Sequence, residues 1–235
     1  TSTATTTGDI QRATVNVALQ SSPAITKVYD GTTEASLQAA NYTINGIIGA
    51  DEVLLNNPAV GAYDNKHGGT GKTVTVTGLA LSGADFANYQ LPNTTVSGNI
   101  GEITQKQITV TAQAQTKQYG VVDPVLSYTA GGMLEGDELE GTLSREAGKN
   151  AGTYSITIGT LSGGDDYNIV EFMPGVLTIS PVPLTIKADD KEKKQGAANP
   201  VFTLTYEGLA GGDQPSDLET PAIATTNANA DSPMG

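Results

Sequence analysis

Residues 119–137 read YGVVDPVLSYTAGGMLEGD, and residues 195–213 read QGAANPVFTLTYEGLAGGD. The second stretch follows the first at a distance of 76 residues, and the turn-forming residues keep register. Gly120, Pro124, Val125, Gly132, Gly136 and Asp137 return as Gly196, Pro200, Val201, Gly208, Gly212 and Asp213. Apolar character is also kept, since Leu126 returns as Phe202 and Met133 as Leu209. Because a fixed period indicates one recurring structural unit, the chain is predicted to be a tandem array of repeats.

A more distant copy of the same pattern lies earlier in the chain. Tyr42, Gly46 and Asp51 precede Tyr128, Gly132 and Asp137 by 86 residues. Leu81-Ser82-Gly83 is followed by Asn88-Tyr89, as Leu161-Ser162-Gly163 is followed by Asp166-Tyr167. The predicted division is a closing strand of a preceding repeat at 1–13, repeats at 14–104 and 105–181, and a truncated repeat at 182–235. The third repeat is expected to lack its final strands, because Ser232-Pro233-Met234-Gly235 matches the stretch that ends at Gly152.

Apolar and polar residues alternate along several short segments, which is typical of half-buried strands. Examples are Val74 and Val76 between threonines, and Tyr154, Ile156 and Ile158. The same pattern extends to other segments: Ile108, Val110, Val125, Ser127, Leu177 and Ile179. The 28 glycines suit the turns between strands, because glycine adopts backbone angles that other residues avoid. These patterns predict an all-β fold.

Short strands that are separated by frequent turns favour small immunoglobulin-like β-sandwiches in tandem. Tyr154 resembles the tyrosine that packs at the corner of such a sandwich. The alternative is a set of β-grasp-like units, because residues 33–40 allow a short helical turn in the first repeat. Pro181 and Pro183 favour an extended connection between repeats, so a rod is expected.

Composition excludes several classes of partner and chemistry. The net charge of −13 opposes binding to nucleic acid or to an anionic membrane. The absence of cysteine excludes disulfides and thiolate metal sites. No apolar run is long enough to span a bilayer, and the first six residues do not form a signal peptide.

Particular motifs resemble two known families of repeat. The first repeat resembles the YDG domain of filamentous-haemagglutinin-like surface proteins, through these segments: Lys27-Val28-Tyr29-Asp30-Gly31-Thr32-Thr33, Asp64-Asn65-Lys66, Gly71-Lys72-Thr73 and Leu81-Ser82-Gly83-Ala84-Asp85. The second resembles the MBG domain, whose name stands for mostly β and glycine, through these: Lys117-Gln118-Tyr119-Gly120, Asp123-Pro124, Gly136-Asp137 and Asn150-Ala151-Gly152-Thr153-Tyr154. Residues 184–235 resemble the opening part of another MBG unit in which Gln195 replaces Tyr119. The resemblance implies a large bacterial surface or secreted protein and no catalytic residues.

Two motifs suggest chemistry that their context does not support. Residues 68–73, ending in Gly71-Lys72-Thr73, resemble the end of a phosphate-binding loop. However, position 66 is lysine where that motif requires glycine, and a strand follows where it requires a helix. His67 is the sole histidine, so it is interpreted as a solvated loop residue.

Acidic clusters leave calcium binding open as an alternative. The clusters are Asp165-Asp166, Asp189-Asp190 with Glu192, and Glu135 with Asp137 and Glu138. None has the spacing of a known calcium loop. Asp137 and Asp213 are interpreted as turn residues that bond their own backbone. An isopeptide crosslink between Lys and Asn is conceivable, but the sequence indicates no pair.

The sequence therefore predicts non-catalytic stalk or spacer repeats of a large extracellular bacterial adhesin, which project a distal binding domain from the cell surface. The expected partners are neighbouring repeats, with a host or surface ligand bound by other domains. No catalytic, cofactor-binding or metal-ligating residue is predicted. The alternative function is that one repeat is itself a binding module for a glycan or a host protein.

Overall fold

The computed structural model describes residues 8–233. Within this range the chain forms twenty short strands and three single-turn 3-10 helices. The strands are β1 Ala13–Thr14, β2 Asn16–Leu19, β3 Ile25–Val28, β4 Glu34–Ser36, β5 Tyr42–Asn45, β6 Leu54–Leu55, β7 Val60–Tyr63, β8 Gly69–Thr77, β9 Leu81–Ser82, β10 Tyr89–Gln90, β11 Thr95–Thr104, β12 Lys106–Ala112, β13 Gln115–Gln118, β14 Tyr128–Gly131, β15 Ser144–Arg145, β16 Gly152–Thr157, β17 Tyr167–Met173, β18 Val176–Ser180, β19 Thr185–Ala188 and β20 Leu204–Glu207. The 3-10 helices are Ala39–Asn41, Phe86–Asn88 and Pro215–Asp217. The prediction of an all-β fold is confirmed.

The described residues divide into two compact units. Unit 1 comprises the described part of 1–110 together with 130–141 and 161–171. Unit 2 comprises 111–129, 142–160 and the described part of 172–235. The predicted repeat boundaries stay predictions, and residues 1–7 and 234–235 of the predicted segments lie outside the described residues.

Unit 1 contains a five-stranded sheet in the order β3-β11-β8-β7-β4. The first and last of these strands in the chain, β3 and β11, are parallel, and the other neighbours are antiparallel. Val74 and Val76 of β8 are fully buried. This confirms the alternation read from the sequence, because successive side chains of a strand point to opposite faces.

Unit 2 contains a four-stranded sheet in the order β13-β18-β16-β15, in which β13 and β18 are again parallel. Its core cluster consists of buried Ala112, Ile156 and Leu177, against which further apolar side chains pack. In the third repeat β19 and β20 pair as an antiparallel ribbon. A further three-stranded sheet has the order β14-β12-β17.

The sandwich-like arrangement describes the repeats better than a β-grasp, because residues 8–233 contain no α-helix to cross a sheet. The helical turn expected over 33–40 is wrong for most of that segment. The strand β4 occupies Glu34–Ser36, and the 3-10 turn begins only at Ala39. Tyr154 has the expected corner geometry, since its hydroxyl donates to the carbonyl oxygen of Asn150 at 2.9 Å.

The strand assignment at Val125 and Ser127 is wrong. Residues 121–127 are irregular, β14 begins at Tyr128, and the side chain of Val125 is 92% exposed. A proline directly precedes the apolar residue in each copy of this segment, Pro124 before Val125 and Pro200 before Val201. Proline has no amide hydrogen to donate to a neighbouring strand, which explains why the apolar residue need not enter a strand.

Candidate functional site

Two tyrosines occupy equivalent positions at the ends of the parallel strand pairs. Tyr29 follows β3, and its amide donates to the carbonyl oxygen of Thr104, the last residue of β11, at 2.8 Å. Tyr119 follows β13, and its amide donates to the carbonyl oxygen of Ser180, the last residue of β18, also at 2.8 Å. Each tyrosine therefore lies beside the point at which the chain leaves one predicted repeat for the next.

Two aspartates lie in matching turns of the repeat that follows. The turn Gly132–Asp137 is closed by the amide of Asp137, which donates to Leu134 at 3.3 Å, and the turn Gly208–Asp213 by the amide of Asp213, which donates to Ala210 at 3.1 Å. Each turn opens on a glycine with φ of 90° or 103°. A Cβ at Gly208 would lie 2.3 Å from the carbonyl oxygen of Pro183, so glycine lets the turn pack against the start of its own repeat.

The first tyrosine and aspartate meet within unit 1, in a contact that we call joint 1. The hydroxyl of Tyr29 donates to Oδ2 of Asp137 at 2.9 Å. The same oxygen accepts from the hydroxyl of Tyr167 at 2.6 Å. The amide of Leu134 donates in turn to the Tyr167 hydroxyl at 3.0 Å. The two tyrosine rings pack edge to face, with centroids 5.2 Å apart.

Joint 1 keeps its tyrosines neutral and its aspartate charged. Burial, followed by the hydrogen bond to Asp137, raises the pKa of Tyr29 to about 12. The same two causes raise the pKa of Tyr167 to about 12. The hydrogen bond from Tyr167 lowers the pKa of Asp137 in spite of desolvation, with help from Tyr29 and from Lys66, whose Nζ lies 3.8 Å away. Near neutral pH the tyrosines are therefore donors and Asp137 is an ionised acceptor.

A second group of polar contacts supports joint 1 around Asp166. Its Oδ2 lies 2.8 Å from Nδ1 of His67, and its Oδ1 accepts from the amide of Gly68 at 3.0 Å. The backbone carbonyl of Asp166 accepts from the amide of Lys106 at 2.9 Å. His67 is indeed more than half exposed, but it is not merely solvated, because its ring is paired with a carboxylate.

The second tyrosine and aspartate meet within unit 2, in joint 2. The hydroxyl of Tyr119 donates to Oδ2 of Asp213 at 2.7 Å. That hydrogen bond, and then burial, raise the pKa of Tyr119. Gly120 lies against the turn of the next repeat, since a Cβ there would be 2.5 Å from the amide nitrogen of Gly211. Joint 2 thus repeats the tyrosine and the aspartate turn of joint 1.

Comparison with known families agrees with this pattern of repeats. The family model described as the MBG domain, YGX type, matches residues 108–178 and 184–235, which together are more than half of the chain. The chain belongs to the MBG family. A YDG domain precedes these matches at residues 11–97. Neither the curated proteins nor the solved structures gave a match.

The names of the two domains draw attention to the joint tyrosines. Tyr29-Asp30-Gly31 spells YDG, and Tyr119-Gly120 supplies the first two letters of YGX. In this chain both tyrosines carry the hydroxyl that reaches the following MBG repeat. The repeated Asp137 and Asp213 accept those hydroxyls, so the interpretation that their side chains bond their own backbone was wrong.

The segment that resembles a phosphate-binding loop is a strand. Residues 69–77 form β8 of the YDG domain, and Lys72 is buried within it. Its Nζ donates to Oδ1 of Asn65 at 2.7 Å and lies 3.3 Å from Oδ1 of Asp64. The lysine is therefore held by its own hairpin, with no helix N-terminus beside it to receive a phosphate.

One aspartate in each acidic cluster, Asp137, Asp166 or Asp189, accepts hydrogen bonds from donors of the protein. Asp189 accepts from Thr205 at 2.7 Å and also from Thr203. Residues 8–233 contain no group of three or more His, Asp or Glu side chains placed to hold a metal ion. Calcium binding stays an untested alternative. In the same part of the chain no helix has the length and apolar character needed to cross a membrane.

Proposed function

We propose that the chain is a non-catalytic spacer of a large extracellular bacterial protein, in which the YDG domain and the MBG repeats form part of an adhesin stalk. YDG and MBG domains are found in bacterial surface-type proteins. The stalk would project a distal domain that binds a host or surface ligand. The direct partners of these repeats would be their neighbours in the same polypeptide.

The observation that carries the proposal is the recurrence of one joint at two successive boundaries. Tyr29 bonds Asp137 within unit 1, and Tyr119 bonds Asp213 within unit 2. Domains joined by a flexible linker move independently unless their interface restrains them. A hydrogen bond from a tyrosine to an ionised carboxylate provides such a restraint, and it needs only two side chains at each boundary.

The chemistry of the joints also favours a structural role. At joint 1 the polar groups satisfy one another, since Asp137 accepts from two tyrosines and Asp166 accepts from Gly68 and pairs with His67. An active site requires a nucleophile or base directed at a substrate, arranged as one convergent set. The same pair of residues at each boundary is what a repeated structural contact requires.

Small-angle scattering of the chain, with calcium and with a chelator, tests the proposal. A spacer with restrained joints is expected to give a narrow distribution of dimensions that the chelator does not change. The double variant Tyr29→Phe with Tyr119→Phe, which removes both joint hydrogen bonds and keeps the buried rings, is expected to broaden this distribution while each domain keeps its β-sheet circular dichroism.

Two results would contradict the proposal. A broad distribution for the unmodified chain would mean that the repeats are flexibly linked. A distribution that is narrow with calcium and broadens when the chelator is added would instead assign the stiffness to bound metal ions. Tyr42→Phe, which removes a tyrosine hydroxyl that is bonded to the carbonyl oxygen of Pro58 and not to a joint aspartate, is the matched control.

A further inference from the structure

The YDG domain contains a third copy of the turn that receives a tyrosine at joints 1 and 2. Residues 46–51 are closed by the amide of Asp51, which donates to Ile48 at 3.2 Å, and Gly46 has a φ of 97°. A Cβ at Gly46 would meet the carbonyl oxygen of Thr14 at 2.6 Å, just as one at Gly208 would meet that of Pro183. The turn is therefore equivalent to Gly132–Asp137 and Gly208–Asp213 in position and in conformation.

Asp51 also accepts a hydrogen bond from a tyrosine of its own domain. The hydroxyl of Tyr89 donates to Oδ2 of Asp51 at 2.7 Å and accepts from the amide of Ile48 at 2.9 Å. Tyr167, Asp137 and Leu134 make the same two bonds in the MBG repeat. Asp137 also accepts a hydrogen bond from a second tyrosine hydroxyl, that of Tyr29. Within residues 8–233, Asp51 accepts a hydrogen bond from no tyrosine other than Tyr89.

The apolar residue of this turn is uncovered. At joint 1 the glycine that follows the tyrosine lies over Leu134, because a Cβ at Gly31 would be 3.2 Å from Leu134 Cδ1. At joint 2 a Cβ at Gly120 would be 3.0 Å from Ala210. The equivalent side chain in the YDG domain, Ile48, is 63% exposed in the described structure.

The chain ahead of this turn carries a residue suited to the core of another repeat. Ile103 lies five residues before Ile108 and Ile179 five residues before Leu184, and each of the two isoleucines is only 1% exposed. Each pairs with the lysine two residues before a joint tyrosine, Ile103 with Lys27 and Ile179 with Lys117. Ile10 lies five residues before Val15 and is 100% exposed. A cleft of about 440 Å³ lies between residues 10–13 and the Asp51 turn.

We propose that Ile48, Asp51 and Tyr89 form a socket for the tyrosine–glycine loop of another repeat of the YDG or MBG kind, and that Ile10 belongs to the closing strand of that repeat. The tyrosine hydroxyl donates to Asp51 beside Tyr89, and the glycine covers Ile48. Joint 1 connects the YDG domain to the repeat that follows it, and the socket would connect the YDG domain to a repeat that precedes it. The inference rests on the joint geometry and holds whether or not the protein is a surface stalk.

A tandem protein tests the socket, since the parent chain has no cysteine and a single introduced thiol can be followed. Residues 1–179 are joined directly to residues 11–235, so that Ile179 takes the place of Ile10 and Tyr119 precedes the second YDG domain. Ile48→Cys is introduced in the second copy only, and the rate of its reaction with a thiol reagent is compared with that of Ile48→Cys in the single chain. Leu134→Cys in the single chain, where the Tyr29 loop is seated, gives the reference rate for a covered turn.

The thiol at position 48 is expected to react at least about tenfold more slowly in the tandem than in the single chain, which corresponds to about 1.4 kcal/mol of protection. Tyr119→Ala in the first copy is expected to restore the faster rate. Equal rates in the tandem and the single chain would overturn the proposal. A slow rate that persists with Tyr119→Ala would also overturn it, because a neighbour would then cover Ile48 without using the tyrosine.

Discussion

The hydroxyl of Tyr29 donates a 2.9 Å hydrogen bond to Asp137, which lies 108 residues further along the chain. The hydroxyl of Tyr119 makes the corresponding 2.7 Å bond to Asp213, at a separation of 94 residues. The aspartate of each MBG repeat thus accepts a hydrogen bond from a tyrosine of the repeat before it. The MBG repeat that begins at β12 also donates such a hydrogen bond, through Tyr119, to the repeat after it. One residue pair, reused in this way, can extend an array without a new interface at each boundary.

Removal of one hydroxyl at joint 1 should weaken the fold measurably. Tyr29 is 1% exposed and donates to a carboxylate, so Tyr29→Phe is expected to reduce the free energy of unfolding by about 1–2 kcal/mol. The loss is held to this range because Asp137 keeps the bond from Tyr167. Chemical denaturation followed by tyrosine fluorescence measures it. Tyr128→Phe is the matched control, and an equal loss in both variants would remove the special role of the Tyr29 hydroxyl.

The two tyrosines of joint 1 should make the protein sensitive to alkali. Their pKa values are raised from 10.0 to about 12. A group whose pKa is higher in the folded state stabilises the fold fully below the pKa of the unfolded state, here about 10, and loses that contribution as the pH rises towards 12. Tyrosinate absorbance is expected to show a late-titrating population that Tyr29→Phe diminishes. Ionisation of all tyrosines near pH 10 in the folded protein would contradict this.

An ion-pair cluster in unit 2 should give the opposite dependence in acid. Asp123 lies 2.6 Å from Nε of Arg145 and 2.7 Å from Nζ of Lys117, and these hydrogen bonds lower its pKa from 3.8 to about 2. A lowered pKa means that the stabilisation is complete above about pH 4 and is lost as the pH falls towards 2. Because Asp123 is 39% exposed, solvent screens the interaction and the effect should be small.

Asp123→Asn provides the measurement. The variant is expected to be less stable than the parent at neutral pH, and the difference should shrink as the pH is lowered through this window. A difference that stays constant between pH 5 and pH 2 would show that the charge of Asp123 does not contribute. Titration of Asp123 by NMR gives the pKa directly.

The sequence predicted local features well and the joints poorly, for a physical reason. Burial of Val74 and Val76 follows from alternation within one strand, and the corner geometry of Tyr154 spans only four residues. Asp137 and Asp213 were recognised as recurring positions, but their partners come from a different repeat about a hundred residues away. A single sequence shows that a position recurs and does not show what packs against it. The recurrence of tyrosine at 29 and 119, each two residues after a lysine, was the available clue.

A glycine pair separates the cost of the joint from the cost of backbone strain. Gly120 and Gly196 are equivalent residues of successive MBG repeats with φ of 81° and 79°. A Cβ at Gly196 meets nothing within 4 Å, whereas one at Gly120 would lie 2.5 Å from the backbone nitrogen of Gly211. Both alanine variants should lose about 1 kcal/mol or more because a residue with a Cβ disfavours positive φ.

Gly120→Ala should lose about 1–3 kcal/mol beyond Gly196→Ala, because the added methyl group cannot be accommodated without moving the turn that holds Asp213. Chemical denaturation of both variants gives the difference, and hydrogen exchange of the amides in residues 208–213 locates it. Faster exchange of this turn in Gly120→Ala alone would tie the loss to joint 2. Equal stability and equal exchange in the two variants would mean that Gly120 is required only for its backbone angles and that the contact with Gly211 does not hold the joint together.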